Sequence, residues 1–354
     1  MSTVRDVLTA HAGRYPLMCP QDGVKLLYQN EFGPGHLIAD PAQASRRLAE
    51  EYARTPRRPE LPLFEDIGCG FLRVMLPALE EELLEETGTA FLRSAALRAG
   101  SGERFAQKLA QLRALTAEGA FAFTSAELEE YLAAYTAAGC PPVSHSGAYR
   151  EAYSPAYRVV HSRFLGEELR ALLIAQRLEQ LRRQRGRVVA AIDGRCASGK
   201  TTLARRLQGL TGCAVVHMDH FFLRPEQRTP QRYAQSGGNV DRERFLEEVL
   251  LPLSRGERLR YRPFDCHAMA LAQPVDLGTP ELVVVEGSYS CHPALAEHYD
   301  LKIFLSADEQ TRLGRIALRD GADYVQVFRE KWIPLEERYF AAFPVEADSD
   351  LSFA

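Results

Sequence analysis

The chain has 354 residues, long enough to bury two cores of ordinary domain size. Its average hydrophobic and charged fractions exclude a disordered or fibrous protein, and a net charge of −4 gives no general signal for nucleic acid as a partner. No apolar run approaches the roughly 18 residues of a membrane span, and no basic-then-apolar leader opens the chain, so a cytoplasmic protein with no membrane or nucleic-acid partner is expected.

Residues 1–185 read as a mostly α-helical domain. Apolar residues recur at three-and-four spacing over 80–99, 104–116, 125–138 and 161–185, and Ser125 with Glu127 suits a helix start. Two clusters stand out. Glu31 and His36 flank a Gly-Pro-Gly turn, and His145, Tyr149, Tyr153, Tyr157 and Arg158 follow at near four-residue spacing. Either could hold a polar or anionic group, but a helix turn and an aromatic packing face explain them more simply. The basic run 182–187, with Gly186 inside it, suits the negative end of a helix, and the domain boundary is placed after residue 185. The cysteines at 19, 69, 140, 196, 213, 266 and 291 form no C-x-x-C pair and read as reduced thiols.

From 186 to 354 the pattern alternates strand and helix, the mark of an α/β domain built on a parallel sheet. Strands are expected at 188–192, 214–218, 282–285, 301–305 and 351–353. Between the first strand and the next helix lies Gly194-Arg195-Cys196-Ala197-Ser198-Gly199-Lys200-Thr201-Thr202, which fills G-x-x-x-x-G-K-[ST]. Glycines let successive N–H groups turn inward, and the helix N-terminus adds its dipole. Lys200 suits the β- and γ-phosphates, and the Thr201 hydroxyl suits Mg²⁺. These residues predict ATP binding. Cys196 is a small filler or a thiol acidified by the dipole. Two strands end in acids, Asp219 and Glu286, and strand ends line the ligand crevice of an open parallel sheet. Glu286 is the expected Mg²⁺ carboxylate and Asp219 the expected proton acceptor. Arg312, Arg315 and Arg319 share one helical face, where a triphosphate or carboxylates such as Asp308 would compensate them.

The P-loop, Asp219-His220-Phe221-Phe222, Asn239-Val240-Asp241, the strand ending Glu286-Gly287, and the segment 312–320 together resemble the uridine kinase / phosphoribulokinase-like family of P-loop kinases. The resemblance covers residues 187–345. It implies a three-layer P-loop kinase domain after the helical domain, with ATP and Mg²⁺ as cofactors. By the resemblance Asp219 is the general base, Thr201 and Glu286 form the Mg²⁺ site, and Lys200, Arg315 and Arg319 serve the phosphates. Phe222, Asp241, Tyr261 and His267 would meet a small-molecule hydroxyl acceptor. Phe222 stands where the family has tyrosine, and the 261–267 segment lacks an arginine the family carries, so the acceptor stays open. Arg224, Arg228, Arg232, Arg242 and Arg244 suggest an anionic acceptor, or simply pair with Glu226, Asp241 and Glu243. An NTPase that uses hydrolysis to drive the helical domain, or a bifunctional enzyme, are the rival readings.

Overall fold

A computed structural model describes residues 3–35, 38, 40–97 and 100–353, so His36 lies outside the described residues. The chain divides into two compact units, Met1–Arg170 and Ala171–Ala354.

The first unit carries helices α1 (Val4–Arg14), α2 (Pro20–Phe32), α3 (Pro41–Arg54), α4 (Leu84–Ala95), α5 (Gly102–Ala117), α6 (Ser125–Ala137), α7 (Gly147–Tyr153) and the start of α8 (Glu167–Arg185). Thr124 rather than Ser125 caps α6, and Glu127 closes the capping box. Helix α8 continues across the division between the units and stops at the basic run, where Gly186 adopts φ +77°. The helical expectation omitted a three-stranded antiparallel sheet, β1 (Phe64–Gly68), β2 (Phe71–Met75) and β3 (Tyr157–His161), in the order β1-β2-β3. His161, expected to open a helix, ends β3 instead.

Charged residues penetrate this unit's interior. Arg73 of β2, 1% exposed, donates through Nε and Nη2 to Gln29 Oε1 at 3.1 and 2.8 Å, and through Nη1 to Glu65 Oε2 at 3.0 Å. Its guanidinium lies 4.5 Å from the centre of the Tyr157 ring. The Tyr157 hydroxyl is 2.7 Å from His145 Nε2, and His145 Nδ1 is 2.9 Å from Asp22 Oδ1. His145 also stacks on Tyr149 at 4.1 Å. The aromatic cluster is thus a packed, hydrogen-bonded core. Glu31 is likewise held, by Lys108 at 2.6 Å, Arg104 at 2.9 Å and the Ser101 N–H at 2.7 Å.

The second unit is the expected P-loop α/β fold. Strands β4 (Val188–Gly194) and β5 (Ala214–His217) flank helix α9 (Lys200–Thr211) in the chain. Next come short helices α10 (Pro230–Ala234), α11 (Arg242–Phe245) and α12 (Leu251–Arg255). Strands β6 (Leu259–Tyr261), β7 (Phe264–Asp265), β8 (Ala270–Leu271) and β9 (Val275–Gly278) pair as β6 with β9 and β7 with β8. The chain then continues through β10 (Leu282–Glu286), α13 (Pro293–Ala296), β11 (Leu301–Leu305), α14 (Glu309–Asp320), α15 (Ala322–Val327), α16 (Ile333–Ala342) and β12 (Leu351–Phe353). The main sheet, in the order β12-β11-β4-β10-β5, is parallel throughout. Strand β4 is buried at every position, as its near-unbroken apolar run requires of a central parallel strand. The C-terminal ends of β4, β5 and β10 deliver Gly194, His217 and Glu286, with Asp219 two residues beyond β5.

Candidate active site

The loop after β4 needs glycine for steric reasons. Gly194 adopts φ +136°, and a Cβ there would lie 1.9 Å from the Leu305 carbonyl oxygen. Gly199, at φ +103°, caps α9 and starts the helix at Lys200. The Lys200 ammonium donates to the carbonyls of Gly194 and Arg195, both at 2.8 Å. The loop therefore presents a cation held at its own carbonyls, helical N–H groups and a dipole at one place, an arrangement suited to phosphate.

A cavity of about 730 Å³ opens on this loop. Cys196, Ala197, Gly199, Lys200, Thr201, Thr202, Asp219, Phe222, Glu286, Arg315 and Arg319 all line it, so most of the sequence-derived candidates converge. Gly194, Arg195 and Ser198 shape the loop without appearing in the lining. The Thr201 hydroxyl lies 3.1 and 3.2 Å from the two oxygens of Glu286, which is 4% exposed. His217 Nδ1 also contacts Glu286, and that carboxylate raises the His217 pKa. Asp219 is exposed to the cavity, and partial desolvation by the protein around it, and next the Glu286 charge, hold its carboxyl above the ordinary range.

Helix α14 brings its arginines to the loop. Arg315 Nη1 donates to the Ala197 carbonyl at 3.1 Å, and Arg312 Nη1 lies 3.6 Å from Cys196 Sγ. Asp308, considered as a partner for Arg312, instead caps α14 by accepting the Thr311 N–H at 2.8 Å. Arg319 pairs with Asp320 at 2.7 Å. Cys196 is no acidified thiol: burial, then the Glu336 charge, push it up to about 12.

Three expected acceptor contacts do not reach the cavity. Asp241, 2% exposed, caps α11 through the Arg244 N–H at 3.2 Å and accepts from Gln227 Nε2 at 2.9 Å. Tyr261, 3% exposed, bonds His220 Nδ1 through its hydroxyl at 3.1 Å. His267 sits exposed in the turn between β7 and β8, its N–H bound by Asp265. The arginine set is also committed to protein groups. Arg224 faces Glu226 and Asp241, Arg232 and Arg242 face Glu243, and Arg244 faces Asp241 and Glu248. Arg228 donates to the Leu223 carbonyl at 3.0 Å.

Several residues that build the site escaped sequence reasoning. Asp193, fully buried, accepts the N–H groups of Gly194, Tyr289 and Cys291 and the Tyr339 hydroxyl, tying the loop to the segment after β10. Its place directly before Gly194 was the available signal. Arg205 lines the cavity one turn into α9. Tyr324, Phe328, Trp332 and Glu336 reach it from α15, the π-helical turn Phe328–Trp332 and α16. The Trp332 and Phe222 rings stand 6.4 Å apart.

No protein-family model matches the chain. Over 146 residues, 38% of this chain, it is 30% identical to uridine-cytidine kinase B of Dictyostelium discoideum, and it spans 59% of that protein's length. That similarity bears out the resemblance drawn from the motifs. Among solved structures, one described as a possible uridine kinase from Bacillus stearothermophilus matches 51% of this chain and 100% of its own, at 19% identity and TM-score 0.40. Another, from Silicibacter and assigned by name only to a fructose transport system kinase, matches 51% of this chain and 98% of its own, at 22% identity and TM-score 0.42. Neither adds to the reading of the site.

Proposed function

We propose that residues 186–354 form a uridine kinase-like, ATP-dependent kinase that phosphorylates a hydroxyl of a small metabolite. The observation that carries this reading is the gathering of Lys200, Thr201, Glu286, Asp219, Arg315 and Arg319 around one cavity. Hydroxyl and carboxylate oxygens are the hard donors Mg²⁺ takes, and Thr201 and Glu286, whose oxygens lie 3.1 and 3.2 Å apart, are the residues that would hold it. When bound, Mg²⁺ would neutralise charge on the transferring phosphoryl group.

The chain's own groups supply the rest. The loop N–H groups and Lys200 hold the β- and γ-phosphates in line, and Arg315 and Arg319 meet charge spreading over the equatorial oxygens. Asp219 orients the acceptor hydroxyl and takes its proton as the new P–O bond forms and the bond to the leaving diphosphate breaks. Its elevated pKa makes it a stronger base than an ordinary carboxylate. An anionic acceptor loses its support, because the arginines that suggested it face carboxylates and carbonyls of the chain. The aromatic lining from Phe222, Tyr324, Phe328 and Trp332 favours a flat, weakly charged acceptor, with uridine and cytidine the first to test.

The test is ADP release from the full chain with ATP–Mg²⁺, with and without uridine, cytidine, pantothenate or a sugar phosphate. Release that depends on an added acceptor is expected. Equal release without any acceptor identifies an NTPase instead.

A further inference from the structure

We propose that Glu336 is an anionic latch on the phosphate loop, which the terminal phosphate of a bound nucleotide must displace. This rests on the nucleotide reading above and adds a control element to the same site. Glu336 lies in α16, is 4% exposed, and accepts the Cys196 backbone N–H through Oε2 at 3.0 Å. Its Oε1 accepts the Ser288 hydroxyl at 2.7 Å. Next to it, Glu337 holds the Arg195 guanidinium through Nε at 2.9 Å and Nη2 at 3.2 Å. Two successive carboxylates of α16 thus grip two successive residues of the loop.

The Cys196 N–H belongs to the same loop whose donors would receive phosphate. A carboxylate and a phosphate oxygen cannot share that donor, and at this burial their like charges repel strongly. Nucleotide binding must therefore move Glu336 away from the loop. The strain does not stay local. Glu336 follows Trp332 by one helical turn, and Trp332 ends the π-helical turn that joins α15 to α16. A π turn is a common point for a helix to change register at a functional site. Displacing Glu336 would thus repack the Trp332 side of the aromatic lining, so nucleotide binding prepares the wall that meets the acceptor. By linkage, an acceptor that favours the repacked wall tightens nucleotide binding equally.

If Glu336 merely braces the loop, removing it would loosen the loop and weaken nucleotide binding; a latch gives the opposite sign. The experiment titrates the full chain with ADP–Mg²⁺, reading affinity by calorimetry and conformation by fluorescence of Trp332, the chain's single tryptophan. Glu336→Gln and Glu336→Ala are each expected to bind ADP about tenfold tighter, the effect of removing one buried like charge. Saturating ADP should change Trp332 emission in the wild type and change it less in Glu336→Gln, which starts nearer the repacked state. Equal or weaker affinity in both variants overturns the latch, as does tight binding in Glu336→Gln alongside weakened binding in Glu336→Ala. Should the variants fail to fold, unchanged wild-type emission at ADP saturation overturns it independently. If the wild type binds ADP and only the gain is missing, the latch alone falls. If neither wild type nor variants bind ADP, the nucleotide reading falls with it.

Discussion

Both units bury ionisable groups, but they balance them in opposite ways. In the first unit the buried Asp22, Glu31, Glu65 and Arg73 each face a partner within the chain. Burial works against ionising Asp22 and Glu65, yet the bonds from His145 and Ser146 to the first, and the nearby His11 ring, the Arg73 charge and the Tyr15 hydroxyl at the second, outweigh it and hold both carboxyls below the usual range. In the second unit Asp219, exposed to the cavity, is held above that range by partial desolvation and by its like-charged neighbour Glu286. The first pattern makes ionised acids a source of folding stability. The second retains a destabilising charge at a cavity, the compromise expected where chemistry outranks stability. Direction alone does not mark a site, since burial also raises Glu86 in the first unit and the loop-bracing Asp193 in the second; what sets Asp219 apart is that it is raised while open to a cavity.

The largest effect should come from Lys200→Ala. Losing the cation at the phosphates is expected to cut acceptor-dependent turnover about 10³-fold or more, while losing its bonds to the Gly194 and Arg195 carbonyls lowers the melting temperature only modestly. Turnover and melting measured on one preparation check both halves, and normal turnover would remove the P-loop from the active site.

Asp219→Asn sharpens the contrast further. Phosphoryl transfer should fall about 10²-fold with ATP–Mg²⁺ affinity retained. Stability should move the other way. A carboxyl whose folded pKa is raised is penalised once charged, so the variant should melt higher above that folded pKa. The gain should vanish below the ordinary carboxylate range, where both states are protonated. A variant that melts lower at neutral pH would make Asp219 a structural residue like Asp22.

A smaller change on activity, but a clear one on stability, is expected from His145→Ala. Stripping Asp22 and Tyr157 of their shared partner should cost about 3 kcal/mol, roughly 10 °C in melting temperature. Acid should produce a related effect in the wild type. Burial lowers the His145 pKa to about 4, from 6.5. Because the unfolded chain binds the proton more readily, this stability is complete above pH 6.5 and is lost progressively toward pH about 4. Melting scans of wild type and variant across that window should converge as pH falls; parallel curves would dissociate His145 from the acid sensitivity.

The amino-acid order alone determined the P-loop, because its signal is local: a β-prone run, glycines where the backbone must turn left-handed, then a helix start. For the same reason the strands 301–305 and 351–353 were legible at their observed limits, and Glu286 was legible at a strand end, while Asp219 stands two residues past the end of β5, a strand one residue shorter than expected. The small sheet of the first unit was not legible. Glu65 and Arg73 interrupt the apolar pattern of its strands, and although β1 and β2 form a local hairpin through Cys69-Gly70, β3 pairs from far along the chain. Only tertiary structure decided which charges face the cavity. Asp241 and the arginines around it have the right chemistry for an acceptor, but caps and ion pairs made by neighbouring backbone turn them away. Glu336, Trp332 and Ser288 carry no motif and reach the site through the course of α16 and the end of β10. A side chain's type is written in the sequence, whereas what it faces depends on contacts between distant segments, and those exist only once the sheet has formed.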